Sequence, residues 1–285
     1  MFRLSLCLAA LVIGSAALGT GVHNDSREFL TPMQMSRSDF SDQAELQRTW
    51  DAALVRVPQA PGGSLPMTTE DLAAWRPDGP GKLPAVVYMH GCSGLCEGSE
   101  TRVDLMAGLG FVPVAPASLA REKYAQSCDP AKFRGGLYRE VLDLRQHDAA
   151  FALEQVRNLP FVDPDRVILM GFSEGAIVTA TLSRQGPGQS IAARIIEGWT
   201  CHAYWREYEG LNAGDEPVLS LVAEDDPWFR AEWLQGHCGA WMRDREASLS
   251  VVYSDPSLAD RHGLLDAEGP RADLVAFLKR HDLLP

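Results

Sequence analysis

The sequence predicts an α/β architecture, a mostly parallel open sheet covered by helices on both faces. Three observations carry this. From residue 83 onward, short continuous apolar runs alternate with helical patterns, as strands buried on both faces and their crossover helices do. The chain has 285 residues, 46% of them hydrophobic, which can fill one sizeable core, since single α/β domains of about 200–250 residues are routine. Finally, residues 166–180, RVILMGFSEGAIVTA, join a β-branched run to a small-residue helical stretch through Gly171-Phe172-Ser173-Glu174-Gly175. That is a strand, a tight turn and a helix.

Residues 1–21, MFRLSLCLAALVIGSAALGTG, place Arg3 before an apolar run and end in small residues. This is the form of an export signal, and the run is shorter than the roughly 20 residues a membrane span needs. A cleaved signal is expected, with an uncleaved membrane anchor as the alternative. The mature protein is then periplasmic or secreted, with no stable membrane association. Residues 22–82 are poor in strand signals and rich in Pro, Gly and Ser, and read as an N-terminal extension packed on the main domain. Within it, residues 41–57 have helical spacing, with Leu46, Trp50, Ala53, Leu54 and Val57 on one side and Ser41 as a possible cap. Pro77-Asp78-Gly79-Pro80-Gly81 is a turn that closes the extension.

The main domain is expected over residues 83–285. Its predicted strands are 85–89, 111–115, 166–170, 194–199, 217–223 and 249–253. The predicted helices are 101–109, 136–158, 173–183, 231–242 and 270–281, the last amphipathic.

Charge and cysteines bound the function. A formal net charge of −12 argues against nucleic acid and anionic membrane surfaces as partners. No C-x-x-C pairs with a second one in this sequence, so no metal site is expected, and no cofactor is implied. Export permits disulfides.

Chemistry concentrates on the serine turn. A sharp strand-to-helix turn lifts a serine hydroxyl clear of the sheet, and glycines two residues either side let strand and helix approach closely. A serine needs a base within reach to become a nucleophile, and that base needs a carboxylate to fix its tautomer. In open-sheet hydrolases these follow in the order Ser, Asp or Glu, His, each past a strand end. Here Glu224-Asp225-Asp226-Pro227 follows the 217–223 strand, and Arg261-His262-Gly263 follows the 249–253 strand. Asp225 is preferred over Asp226 because it lies nearer the strand end, and His262 is preferred among seven histidines by position. Two backbone donors for a developing oxyanion are expected: the N–H of Glu174 and that of Cys92, which lies in the His90-Gly91-Cys92-Ser93-Gly94 loop after an early strand. The Glu174 side chain reads as a helix-dipole partner. Arg121, His202 and Trp228 are candidate substrate-binding residues in loops after strands.

The segments VVYMHGCSG, RVILMGFSEG, LVAEDDPW and ADRHG give the chain a resemblance, from about residue 83 to the end, to the α/β-hydrolase superfamily and within it the dienelactone hydrolase family. The resemblance implies the α/β-hydrolase fold, Ser173 as nucleophile, Asp225 as orienter and His262 as base. The family's namesake enzymes carry cysteine at the nucleophile, whereas this chain has Ser173, which favours a general ester over a dienelactone. The expected function is therefore hydrolysis of a small-molecule carboxylic ester or lactone through an acyl-enzyme. A small-peptide or amide hydrolase of the same fold, and a non-catalytic binding protein on that fold, are the alternatives. With Cys92 in the oxyanion loop, the remaining cysteines are expected to pair as Cys96 with Cys128 and Cys201 with Cys238, each joining segments on one sheet edge.

Overall fold

The computed structural model describes residues 35–183 and 190–285. The expected export signal at 1–21 lies outside the described residues. One eight-stranded sheet runs through the molecule in the order β2-β1-β4-β3-β5-β6-β7-β8. Its six central and distal strands are parallel: β3 (Leu83–Met89), β4 (Val112–Ala115), β5 (Val162–Phe172), β6 (Ala193–Glu197), β7 (Val218–Ala223) and β8 (Leu249–Tyr253). β1 (Leu54–Gln59) runs antiparallel to both β4 and β2 (Gly63–Met67).

These two strands fall where the sequence reads as strand-poor extension. The expected 41–57 helix stops early: α2 covers Gln43–Asp51, and Asp42 rather than Ser41 caps it, its carboxylate accepting from the N–H groups of Ala44 and Glu45. Leu54 and Val57 fit a helical stripe, yet Leu54 pairs with Ala115 and Val55 with Val114. Sheet pairing overrides a periodicity shared by two apolar residues three apart. Residues 54–67 are thus part of the main sheet. Ahead of α2 lies the short α1 (Arg37–Phe40), and α3 (Thr69–Ala74) follows β2.

Each central strand is apolar on both sides because both faces are covered. Val87 and Met89 join the cluster that holds Leu142, Ala149 and Leu153 of α5 (Val141–Arg157) and Val178 of α6 (Glu174–Thr181). Val86 and Tyr88 point the other way, towards Val103 and Met106 of α4 (Glu97–Gly108) and Leu274 and Phe277 of α7 (Glu268–Arg280). A fully buried side chain of this kind contributes about 1.5–3 kcal/mol, so this double cover is the main reason the sheet holds.

The expected 231–242 helix does not form. Short 3₁₀ turns at Pro227–Phe229, Glu232–Leu234 and Cys238–Trp241 take its place. Gly236 sits at φ +123°, outside helical backbone, and Cys238 is tethered to Cys201. Among the described residues no helix is long and apolar enough to cross a membrane.

Candidate active site

The serine turn is built by steric necessity. β5 ends at Phe172, and Ser173 adopts φ 57°, ψ −120° before α6 begins, a conformation costing a non-glycine residue about 1–3 kcal/mol. Closely packed backbone over-determines it. A Cβ on Gly171 would lie 2.1 Å from the Gly175 carbonyl oxygen, and one on Gly175 would lie 2.0 Å from that of Met89. The Ser173 N–H donates to the Glu197 carbonyl at the end of β6 (2.9 Å). Strand, helix and turn therefore lock the hydroxyl at the base of a cleft.

His262 meets that hydroxyl. Its Nε2 lies 2.8 Å from Ser173 Oγ, and its Nδ1 lies 2.7 Å from Asp226 Oδ2. A carboxylate accepts only, so Nδ1 carries the proton and Nε2 is left to accept from the serine. The ring is framed by Phe172 (centroids 4.9 Å apart), by Trp228 stacked at 5.2 Å and by Phe229 at 5.8 Å.

The carboxylate is Asp226, not the expected Asp225. After β7 the Asp225 N–H donates to the Ala259 carbonyl (2.7 Å) and its side chain is exposed. The next residue turns inward, and Asp226 is only 3% exposed. Its Oδ1 accepts from the Trp228 N–H (3.0 Å), capping the Pro227–Phe229 turn, which leaves Oδ2 for His262. A signal for this was present: an Asp directly before Pro is a favoured cap for a turn starting at that Pro.

Facing the serine is the loop after β3. Glu174 is the first residue of α6, so its N–H has no partner within the helix. No hydrogen bond among the described residues takes up the Cys92 N–H. His90 shapes this loop. Its Nε2 accepts from the Ser118 N–H (3.1 Å), so its Nδ1–H donates to the Gly91 carbonyl (2.7 Å). Burial, with the nearby Arg145 charge, holds its pKa well below the usual histidine value. Arg145 of α5, itself buried, donates to the Glu174 carboxylate (2.7 Å) and to the His90 carbonyl. The Glu174 side chain is thus half of a buried ion pair that ties the start of α6 to the β3 loop. Sequence reasoning missed Arg145, because nothing local in a helix announces a partner 29 residues away.

The cleft above Ser173 has a volume of about 80 Å³ and is walled by Trp199, Trp205, Tyr208, Trp228, Phe229 and Leu234. Of the three expected substrate-binding residues it contains only Trp228. Arg121 is fully buried elsewhere, donating to Asp148 Oδ1 (2.9 and 2.6 Å) and to the carbonyls of Asp39 and Phe40 (2.8 and 2.9 Å). It fastens α1 to α5. His202 lies outside the cleft wall, its ring 6.0 Å from that of Trp241.

Cys92 and Cys128 form a disulfide that lines the cleft, and Cys201 is bonded to Cys238. Cys128 therefore takes Cys92 and not the expected Cys96. Position in the turn decides this: Cys96 caps the start of α4, whereas Cys92, four residues earlier, leaves β3 beside the cleft. Among the described residues no cluster of three or more His, Cys, Asp or Glu side chains is arranged to hold a metal ion.

The parallel sheet, the serine turn between β5 and α6, and the acid and histidine past β7 and β8 define an α/β-hydrolase fold. Residues 71–255 match the model of the dienelactone hydrolase family, and the chain belongs to that family. Its members' chemistry makes it a hydrolase of ester or lactone type. Among solved structures it is similar to a dienelactone hydrolase-like promiscuous phosphotriesterase from metagenomic libraries, with 22% identity and a TM-score of 0.52 over 74% of this chain and 90% of the other. It is likewise similar to a protein called m3DLH, at 22% identity and a TM-score of 0.53 over the same shares. No curated protein sequence matches it significantly.

Proposed function

We propose that this protein is a serine hydrolase that cleaves a carboxylic ester or lactone through an acyl-enzyme. The unbroken chain from Ser173 Oγ through His262 to Asp226 Oδ2, at 2.8 and 2.7 Å, is the observation that carries this reading. His262 Nε2 takes the serine proton as Oγ attacks the ester carbonyl. Asp226 holds the ring in the required tautomer and stabilises the imidazolium. The tetrahedral oxyanion accepts from the N–H groups of Cys92 and Glu174, which cost no reorganisation because backbone fixes them. Collapse breaks the bond to the alcohol oxygen, which leaves with the proton from His262. Water then repeats the sequence on the acyl-enzyme, its proton going to Nε2 and back to Ser173. For a lactone the leaving alcohol stays joined to the acyl group.

Export is part of the proposal. The N-terminal apolar run supports it, as do two disulfides among the described residues, since such bridges persist in oxidising compartments.

A fluorophosphonate probe tests the reading. Stoichiometric labelling of Ser173, located by peptide mass and absent in Ser173→Ala, is the expected result. An unlabelled native protein would overturn it.

A further inference from the structure

We infer that the cleft selects an uncharged ester with a compact apolar acyl group and rejects acyl groups that carry a carboxylate. This rests on the serine-hydrolase reading above and concerns what that site accepts. The wall is aromatic and aliphatic, and no lysine or arginine contributes to it among the described residues. Arg145 and Arg139, which pack against residues of the wall, are already engaged. Arg145 is fully buried against Glu174 and the His90 carbonyl. Arg139 stacks over Trp205 at 5.2 Å and pairs with Glu207 at 2.6 Å. Even the Tyr208 hydroxyl is committed, donating to the Arg139 carbonyl (3.1 Å), so that residue offers its ring to the cleft.

The charged groups at the base add no cation for a substrate carboxylate. Glu174 lines the cleft and Asp226 stands behind His262, both buried carboxylates. A substrate carboxylate would enter without a partner cation, beside a Glu174 carboxylate whose charge Arg145 already balances, which costs several kcal/mol even after relaxation, on the order of 100-fold or more in affinity. The formal charge of −12 adds long-range repulsion to the same effect. Size acts with charge. A cavity near 80 Å³ suits a short acyl chain or one small ring.

The experiment compares p-nitrophenyl butyrate with mono-p-nitrophenyl succinate, which replaces a terminal methyl by a carboxylate on an acyl chain of the same length. The full protein is expected to prefer butyrate by at least about 100-fold in kcat/KM at neutral pH, and to turn over p-nitrophenyl decanoate less well than butyrate. Leu234 walls the cleft from a short 3₁₀ turn, and Leu234→Arg is expected to raise the succinate-to-butyrate ratio by about tenfold or more, on the scale of a charge-assisted hydrogen bond. Equal turnover of succinate and butyrate esters by a protein whose Ser173 takes the fluorophosphonate would overturn this inference and leave the hydrolase reading standing. Decanoate turned over as well as butyrate would overturn the compact-acyl part in the same way. A protein that neither takes the probe nor hydrolyses either ester would overturn both. If Leu234→Arg does not fold, the wild-type ratio still decides.

Discussion

Glu197 and Arg102 form a two-pronged ion pair behind the candidate catalytic histidine, Arg102 Nε to Oε2 at 2.6 Å and Nη2 to Oε1 at 2.5 Å. Both side chains are buried, and Oε1 also accepts the N–H groups of Leu264 and Leu265 (2.7 and 2.9 Å). The Glu197 carbonyl, meanwhile, accepts the Ser173 N–H. A single residue at the end of β6 thus fixes the serine turn and the loop that carries His262. The Arg102 guanidinium lies over the Phe172 ring at 4.6 Å, and that ring packs against His262.

Replacing Glu197 by Gln should therefore affect stability and geometry together. The amide still accepts from Leu264 and Leu265, but Arg102 is left as a buried charge without a counter-charge, which typically costs about 3–5 kcal/mol. Urea unfolding reads this directly, and a loss under about 1 kcal/mol would show the pair to be dispensable. The pH dependence has a definite sign. Burial raises the Glu197 pKa, but the Arg102 charge and the Leu264 and Leu265 N–H groups outweigh it and hold the carboxyl below its ordinary 4.5. A depressed folded-state pKa gives stability that is complete above the unfolded value and drains away as pH falls through the folded one. The stability gap between native and Glu197→Gln proteins should then be constant near neutrality and shrink on acidification below about pH 4.5. A gap that widens on acidification would contradict this.

Ser173→Ala and His262→Ala should each lower ester turnover by about 10⁴ to 10⁶, and the double variant should be little worse, because such residues act as a unit. Additive losses in the double variant, or more than a tenth of native activity in either single one, would show that the two do not work as a pair.

Asp226→Asn should cost about 10⁴ in kcat, since an amide facing Nδ1 favours the wrong imidazole tautomer. Asparagine keeps an oxygen for the Trp228 N–H, so the Pro227–Phe229 turn survives and the protein should unfold at nearly the native temperature. Asp225→Asn, at an exposed position, should stay within a few-fold of native activity. The reverse order of effects would return the role to Asp225.

These contrasts mark where the sequence was legible. Ser173 could be located because a strand-turn-helix pattern is a local signal, read within a dozen residues, and His262 because it follows a strand in the expected chain order. The choice between Asp225 and Asp226 is a matter of one residue, and it turns on how the chain leaves β7 against Ala259, a contact 34 residues away. The strands β1 and β2 were hidden for a related reason: Leu54 and Val57 satisfy a helix as readily as a strand until β4 is beside them. Buried pairs such as Arg145–Glu174 and Arg102–Glu197 leave no trace in composition or spacing. The same is true of Arg121, whose position after a strand suggested a ligand but whose partner, Asp148, lies on the facing helix.

The Cys92–Cys128 bridge carries the last prediction. Cys92 contributes a backbone N–H to the proposed oxyanion site, and its sulfur is bonded to Cys128 in the loop that closes one side of the cleft. The bridge spans 36 residues, for which the chain-entropy account gives about 4 kcal/mol of stabilisation. Cys128→Ser should lower the melting temperature by roughly 8–15 °C, taking about 2–4 °C per kcal/mol for a chain of this size. It should also lower kcat more than it raises KM, because an oxyanion donor acts in the transition state and not in substrate binding. Full loss of such a donor costs about 10² to 10³ in kcat. A loosened donor should cost less, on the order of tenfold. Thermal unfolding and steady-state kinetics on the same preparation separate the two effects. An unchanged kcat with a lowered melting temperature would show the bridge to be a staple alone. An unchanged melting temperature with full activity would remove it from both roles.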